Sequence, residues 1–287
     1  MTPATLTLAC GDATARVSTR GAEWCAWSCG GREWLWSGDA RWWPRHSPLL
    51  FPVVGRLRGG LARFGDRALA MPTHGFAAAS SFSVVEQSAD RVGLLLRSDG
   101  ATRACYPFDF ELRVNCTLQA RAFTVELQVG NTGTRPLPYS LGLHPGFPWA
   151  GGGQLRFEAD ERAEVPVISA QGLFTAARRA IPLAQRRLAL DEALFADEAL
   201  CLLDARSRSV TLQAADGSAV DVQSRGFAHW AFWQPRGAPF LCIESWTGHG
   251  DRDDFEGDFA GRPSTCRLPP GERASYGLRY RCREPRP

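Results

Sequence analysis

Along Glu111-Leu-Arg-Val-Asn-Cys-Thr-Leu-Gln119 every second residue is apolar: Leu112, Val114, Cys116 and Leu118, each separated by one polar residue. A period of two sends successive side chains to opposite faces, so the pattern predicts a β-strand with one buried face. Phe123-Thr-Val-Glu-Leu-Gln-Val129 repeats the alternation, and the short link Gln119-Ala-Arg-Ala122 predicts a hairpin between the two. Val210-Thr-Leu212 and Val220-Asp-Val222 read as a second pair turned through Asp216-Gly217. Val92 to Arg97, Phe227 to Trp233 and Phe240 to Ile243 are further short runs of strand character, punctuated by Gly, Pro and Asp. No segment carries a sustained helical stripe. The pattern predicts an all-β chain, a large antiparallel β-sandwich forming a single domain over residues 1–287. There is no fixed-period repeat and no low-complexity linker, residues 151 to 205 are the least readable, and the glycines at 151 to 153 mark a loop tip.

Composition removes several function classes. The net charge of +3 is small for 287 residues, and all 33 cationic residues are arginine, scattered rather than clustered. A nucleic-acid or membrane-surface role needs a basic stripe, so neither partner is expected. The start, MTPATLTLACGDATARV, lacks the basic and apolar regions of an export signal, and no apolar run approaches membrane-spanning length. A soluble, cytoplasmic protein is expected. Of the nine cysteines only Cys25 and Cys29 lie close together, with no histidine or second pair at a zinc-ligand spacing. They read as free, mostly buried thiols, and neither a metal nor a cofactor is expected.

Four stretches carry candidate chemistry. Leu141-Gly-Leu-His-Pro-Gly-Phe-Pro-Trp149 sets His144 among apolar residues, two glycines and two prolines. Pro145 and Pro148 fix φ and lack a ladder donor, so the run reads as a rigid loop leaving a strand. Met71-Pro-Thr-His-Gly-Phe76 places His74 on a turn, and Arg56 follows the apolar, proline-bearing segment Pro48 to Gly55. An arginine held there is better oriented than most and can donate to a sugar oxygen or a carboxylate. Phe240-Leu-Cys-Ile-Glu-Ser-Trp246 carries Glu244 towards the interior, where an unpaired carboxylate is costly. Two readings of Glu244 stand side by side: a buried salt bridge to an arginine, or a general base in a partly desolvated cleft near the histidines. Trp34, Trp36, Trp42 and Trp43 read as core or strand residues, while other tryptophans are available to stack on a sugar.

LLFPVVGRLRGG, MPTHGF, YPFDFEL, SLGLHPGF and APFLCIESW, in that order, resemble the aldose 1-epimerase (galactose mutarotase) superfamily, particularly its LacX-like branch, from about residue 40 to Pro269-Pro-Gly-Glu272. The resemblance implies a large antiparallel β-sandwich that interconverts the α and β anomers of an aldose without a cofactor. By motif it implies His144 as the acid and Glu244 as the base. Arg56 and His74 then hold and polarise the sugar oxygens, and Asp197 in FADEAL is a further substrate-binding position. One departure stands out: where the branch usually reads HGFAR, this chain has Ala78 at the arginine position. Two other readings stay open, a hexose-6-phosphate mutarotase and a non-catalytic carbohydrate-binding or sensing protein on the same fold. Against the binder stands the acid and base pair, for which binding alone has no use.

Overall fold

The structure, a computed structural model, describes residues 3–196 and 198–285. The alternating runs form the strands expected. Phe110–Gln119 pairs with Ala122–Asn131 through the Gln119–Ala122 turn, and Ser209–Gln213 with Ala219–Arg225. They belong to a ten-stranded antiparallel sheet that also holds the long strand Arg273–Arg283. Phe110, Leu112, Val114, Cys116 and Leu118 are all buried on its inner face, as the period of two requires. Each such side chain contributes about 1.5–3 kcal/mol on burial.

A six-stranded sheet lies opposite. Its strands run in the order Leu200–Leu202, His229–Trp233, Phe240–Trp246, Gly142–Leu143 and Leu49–Leu50, with Gly146–Pro148 also paired to Phe240–Trp246. All seven residues of Phe240–Trp246 are buried, because both of its faces are covered. Leu241 and Ile243 turn into the main core, where Phe147 of the same sheet meets Tyr280 of the ten-stranded sheet at 5.7 Å between ring centroids. A four-stranded sheet closes that core, with Trp24 stacked on Phe123 at 4.2 Å. Cys242 and Trp246 turn the other way, into separate apolar clusters, and Glu244 lies between them on that second face.

Two expectations need correction, and one short element was not announced. The LGLHPGFPW run is a broken strand rather than a loop: Gly142–Leu143 and Gly146–Pro148 both pair with Phe240–Trp246, interrupted at His144-Pro145. Pro145 has no N–H, but its carbonyl still accepts from Ile243 N (3.1 Å), so the chain stays beside its partner across the gap. Trp42 is 39% exposed and Trp43 is only half-buried, so neither is a core residue, unlike Trp34 and Trp36. A short helix, Gly100–Cys105, exists where no stripe announced one. Its N-terminus is set by the Asp99–Thr102 capping box, a local signal independent of periodicity. The unreadable stretch 151 to 205 holds five short strands that begin before residue 190 and a sixth, Leu200–Leu202, with glycines 151 to 153 all at positive φ before the first.

Candidate active site

The broken strand determines the geometry. Gly142 pairs with Trp246 on one side of the break and Gly146 with Cys242 on the other, in one continuous register that sets His144 directly across from Glu244. Cross-strand neighbours share a face at about 4.5–5.5 Å between Cβ atoms. Accordingly His144 Nε2 lies 3.3 Å from Glu244 Oε1. The glycines serve this packing: a Cβ on Gly142 would stand 2.8 Å from Trp246 Cδ1, and one on Gly146 3.0 Å from Trp36 Cβ. The Trp246 indole, two residues along the same face as Glu244, donates Nε1–H to Glu244 Oε2 at 3.0 Å. Among the described residues Glu244 therefore meets an imidazole and an indole, not the arginine that a salt bridge would have used.

Both groups are deeply buried, Glu244 at 2% and His144 at 7% exposure. Burial pushes the Glu244 carboxyl well above its ordinary range, opposed by the Trp246 hydrogen bond. The same cause pushes His144 well below its ordinary value, aided by neighbouring His74. Desolvation thus acts against both charges, and the pair is governed by one proton that either partner can hold. Free in water, pKa values of about 6.5 and 4.3 would favour imidazolium with carboxylate by about 3 kcal/mol. Desolvation works against that preference, towards imidazole with carboxylic acid. His144 Nδ1 is buried and finds no partner among the described residues, and the ring packs against aromatic neighbours. Trp43 lies 4.9 Å from it and Trp233 5.6 Å, the latter edge-on.

His74 stands at φ +65°, a left-handed conformation uncommon outside glycine. It is held there from three directions. Its N–H donates to the Gly55 carbonyl (2.9 Å), its carbonyl accepts from Phe51 N (3.2 Å), and its ring Nδ1 accepts from Gly55 N–H (3.1 Å). With Nδ1 accepting, the neutral ring carries its proton on Nε2. Burial, reinforced by Arg56, pushes its pKa down to about 4, so the ring is neutral near pH 7. Its centroid is 5.7 Å from that of His144. Arg56 is exposed and reaches the cavity rim, where Nη1 donates to the Gln171 carbonyl at 3.1 Å.

His144, Glu244, His74 and Arg56 all line one cavity of about 510 Å³. Asp197 lies outside the described residues, although its neighbours Glu198 and Ala199 reach the cavity wall. Sequence reasoning missed Trp43, Trp233, Arg45 and Cys201, which also line it. Cys201 pairs with Ala231, and Ala231 with Glu244, so a row across the sheet leads from the thiol to the carboxylate. Arg45 comes up beside Ala78, its Nη2 donating to the Ala78 carbonyl at 3.5 Å. Trp43 and Arg45 sit on the loop between Glu33 and Leu49, which only the tertiary fold brings to the cavity, and Cys201 lies in a strand buried throughout, where the sequence shows no alternation. An apolar and aromatic wall with a few convergent polar groups is the usual make-up of a small-molecule site. No group of three His, Cys, Asp or Glu among the described residues could hold a metal ion, and no described helix is long and apolar enough to cross a membrane.

A mostly antiparallel β-sandwich with a histidine and a glutamate facing each other in an aromatic cavity has clear relatives. The sequence model of the aldose 1-epimerase family matches residues 4–281, and the chain belongs to that family. The plasmid-encoded protein LacX of Lactococcus lactis subsp. lactis is 31% identical over 235 residues, 76% of this chain and 79% of its own. A galactose mutarotase related enzyme from Lactobacillus acidophilus superposes with a TM-score of 0.91 at 26% identity, over 98% of both chains. A galactose mutarotase-like protein from Lactobacillus casei ATCC 334 gives 0.92 at 24% identity, over 98% of this chain and 100% of its own.

Proposed function

We propose that this chain is an aldose 1-epimerase acting on a free aldose, with Glu244 and His144 exchanging protons with the sugar. The reading rests above all on the cross-strand placement of His144 Nε2 3.3 Å from Glu244 Oε1 in the cavity wall. Ring opening removes a proton from the C1 hydroxyl and delivers one to the ring oxygen. Starting from imidazolium and carboxylate, Glu244 takes the first proton and His144 gives the second, leaving carboxylic acid and imidazole. The pair still holds one proton. After rotation about C1–C2, the new C1 hydroxyl takes its proton from Glu244 while His144 takes one from the C5 hydroxyl, which restores the starting form. The two protonation forms of the pair thus accompany the ring and the open chain respectively, and burial lowers the preference for imidazolium with carboxylate that the free groups would have. His74, neutral with its proton on Nε2, and Arg56 orient the sugar oxygens. Trp43 and Trp233 offer faces to its C–H surface.

The test is anomer exchange, followed by polarimetry and saturation-transfer NMR over a panel of aldoses, with sugar binding measured by calorimetry. Acceleration of exchange that survives EDTA is expected. Binding without acceleration would make the protein a sugar-binding module and overturn the assignment.

A further inference from the structure

A second cavity, of about 460 Å³, borders the hairpin formed by Glu164–Ile168 and Phe174–Ala180. The hairpin separates it from the His144–Glu244 cavity: Ile168 and Gly172 line the first, Pro166 and Arg178 line the second, and Phe174 lines both. At its tip the Gln171 carbonyl accepts from Arg56 Nη1, and Gly172 lies so close to Arg56 that a Cβ would stand 2.8 Å from its Cδ. Just behind the tip, where Phe174 pairs with Ile168, Phe174 N–H donates to the Asp251 carbonyl and the Phe174 carbonyl accepts from Asp253 N–H, both at 2.9 Å. Asp251 and Asp253 flank Arg252, part of the second cavity's wall. One small hairpin is therefore anchored on both cavities.

The second cavity has arginines without an ion-pair partner among the described residues. Of its four arginines, Arg252 is paired with Asp254 (3.0 and 2.9 Å), but Arg162, Arg178 and Arg206 form no ion pair with any described carboxylate. Of its three carboxylates, Glu161 is tied to the backbone N–H groups of Arg206 (3.1 Å) and Ser207 (2.6 Å), Asp204 lies 3.9 Å from His229 Nδ1, and Glu164 stands at the hairpin's outer end. Next to the wall, Arg262 is clamped by Asp251 and by the carbonyl of His249, yet its Nη1 is buried with no partner among the described residues. A guanidinium presents five donors and no acceptor, and a cluster of them around one cavity is matched by a multiply charged oxyanion. We propose that this cavity binds a small phosphate-bearing anion, held by Arg162, Arg178 and Arg206, and that occupancy fixes the hairpin against Arg56. The binding site stands apart from the mutarotase reading; only the kinetic consequence rests on it.

Calorimetric titration of the full chain with inorganic phosphate, and separately with phenyl phosphate, tests this. Saturable binding by at least one is expected, the tighter telling whether free phosphate or a monoester is preferred. Arg162→Glu and Arg178→Glu, at exposed positions, each weaken it at least tenfold, and Arg178→Gln weakens it with less disturbance should the charge reversal unfold the chain. Because coupling is reciprocal, phosphate tightens aldose binding and the aldose tightens phosphate by the same factor, and KM for the aldose falls in the presence of phosphate. If the chain proves not to accelerate anomer exchange, the calorimetric arms still decide the site. Absence of saturable binding, indifference to all three variants, or displacement of phosphate by aldose would overturn the proposal.

Discussion

Trp246→Phe isolates one interaction of the proposed proton-transfer pair. It removes the indole N–H that donates to Glu244 Oε2 at 3.0 Å and keeps an aromatic ring in the cluster with Leu50, Phe174 and Ala231. A hydrogen bond to a charged group is worth about 1.5–3 kcal/mol. At about 1.36 kcal/mol per unit, its loss raises the Glu244 pKa by about 1–2 units. The bond favours the carboxylate, so in its absence protonation sets in at higher pH. On the acid side, activity fails when the pair takes up its second proton. The acid limb of log(kcat/KM) against pH therefore moves up by about 1–2 units, and the rate at the optimum falls by no more than the corresponding factor of about 10–100. Saturation-transfer NMR from pH 4 to 9, on variant and wild type matched for melting behaviour, provides the profile. A folded variant whose acid limb coincides with wild type would mean that Glu244 ionisation does not govern the reaction, and the mechanism would fall.

Glu244→Gln and His144→Asn should each lower kcat by about 10²–10⁴-fold with sugar affinity little changed, and the double variant should be scarcely worse than either single one, because disabling one partner already blocks the concerted route; additive losses would separate the two roles. His229 is 2% exposed, accepts Asp204 N–H on Nδ1 at 2.9 Å, and has its pKa pushed down to about 4 by burial. The unfolded chain binds that proton at about 6.5, so stability is full above pH 6.5 and falls by about 3 kcal/mol as pH drops towards 4; urea titrations should show a shallower fall in His229→Gln, and identical slopes would contradict the shift. Gly75, at φ +75°, would drive a Cβ into the Phe51 carbonyl, so Gly75→Ala should cost at least about 2 kcal/mol and lower kcat/KM by displacing His74; an unchanged melting temperature would refute the packing argument.

The ten-stranded sheet was legible because one face is covered and the other meets water, so Leu112 to Leu118 alternate with polar residues and the period appears in the sequence. The candidate site was legible as a set of residue types, a glutamate carried inward by Phe240-Leu-Cys-Ile and histidines lodged among glycine and proline, and it was the ordered run of motifs that tied them together. Their mutual geometry was not legible. Phe240–Trp246 is buried on both faces, so its sequence is one apolar run that does not say which way Glu244 points. The break at His144-Pro145 disguised a strand as a loop. Trp43 and Cys201 joined the site through contacts between segments far apart in sequence. Local chemistry, decided residue by residue, determined the elements and singled out His144 and Glu244, whose roles as acid and base the family resemblance implied. Register between strands a hundred residues apart, set only when both sheets close on a shared core, decided that His144 faces Glu244 across the ladder.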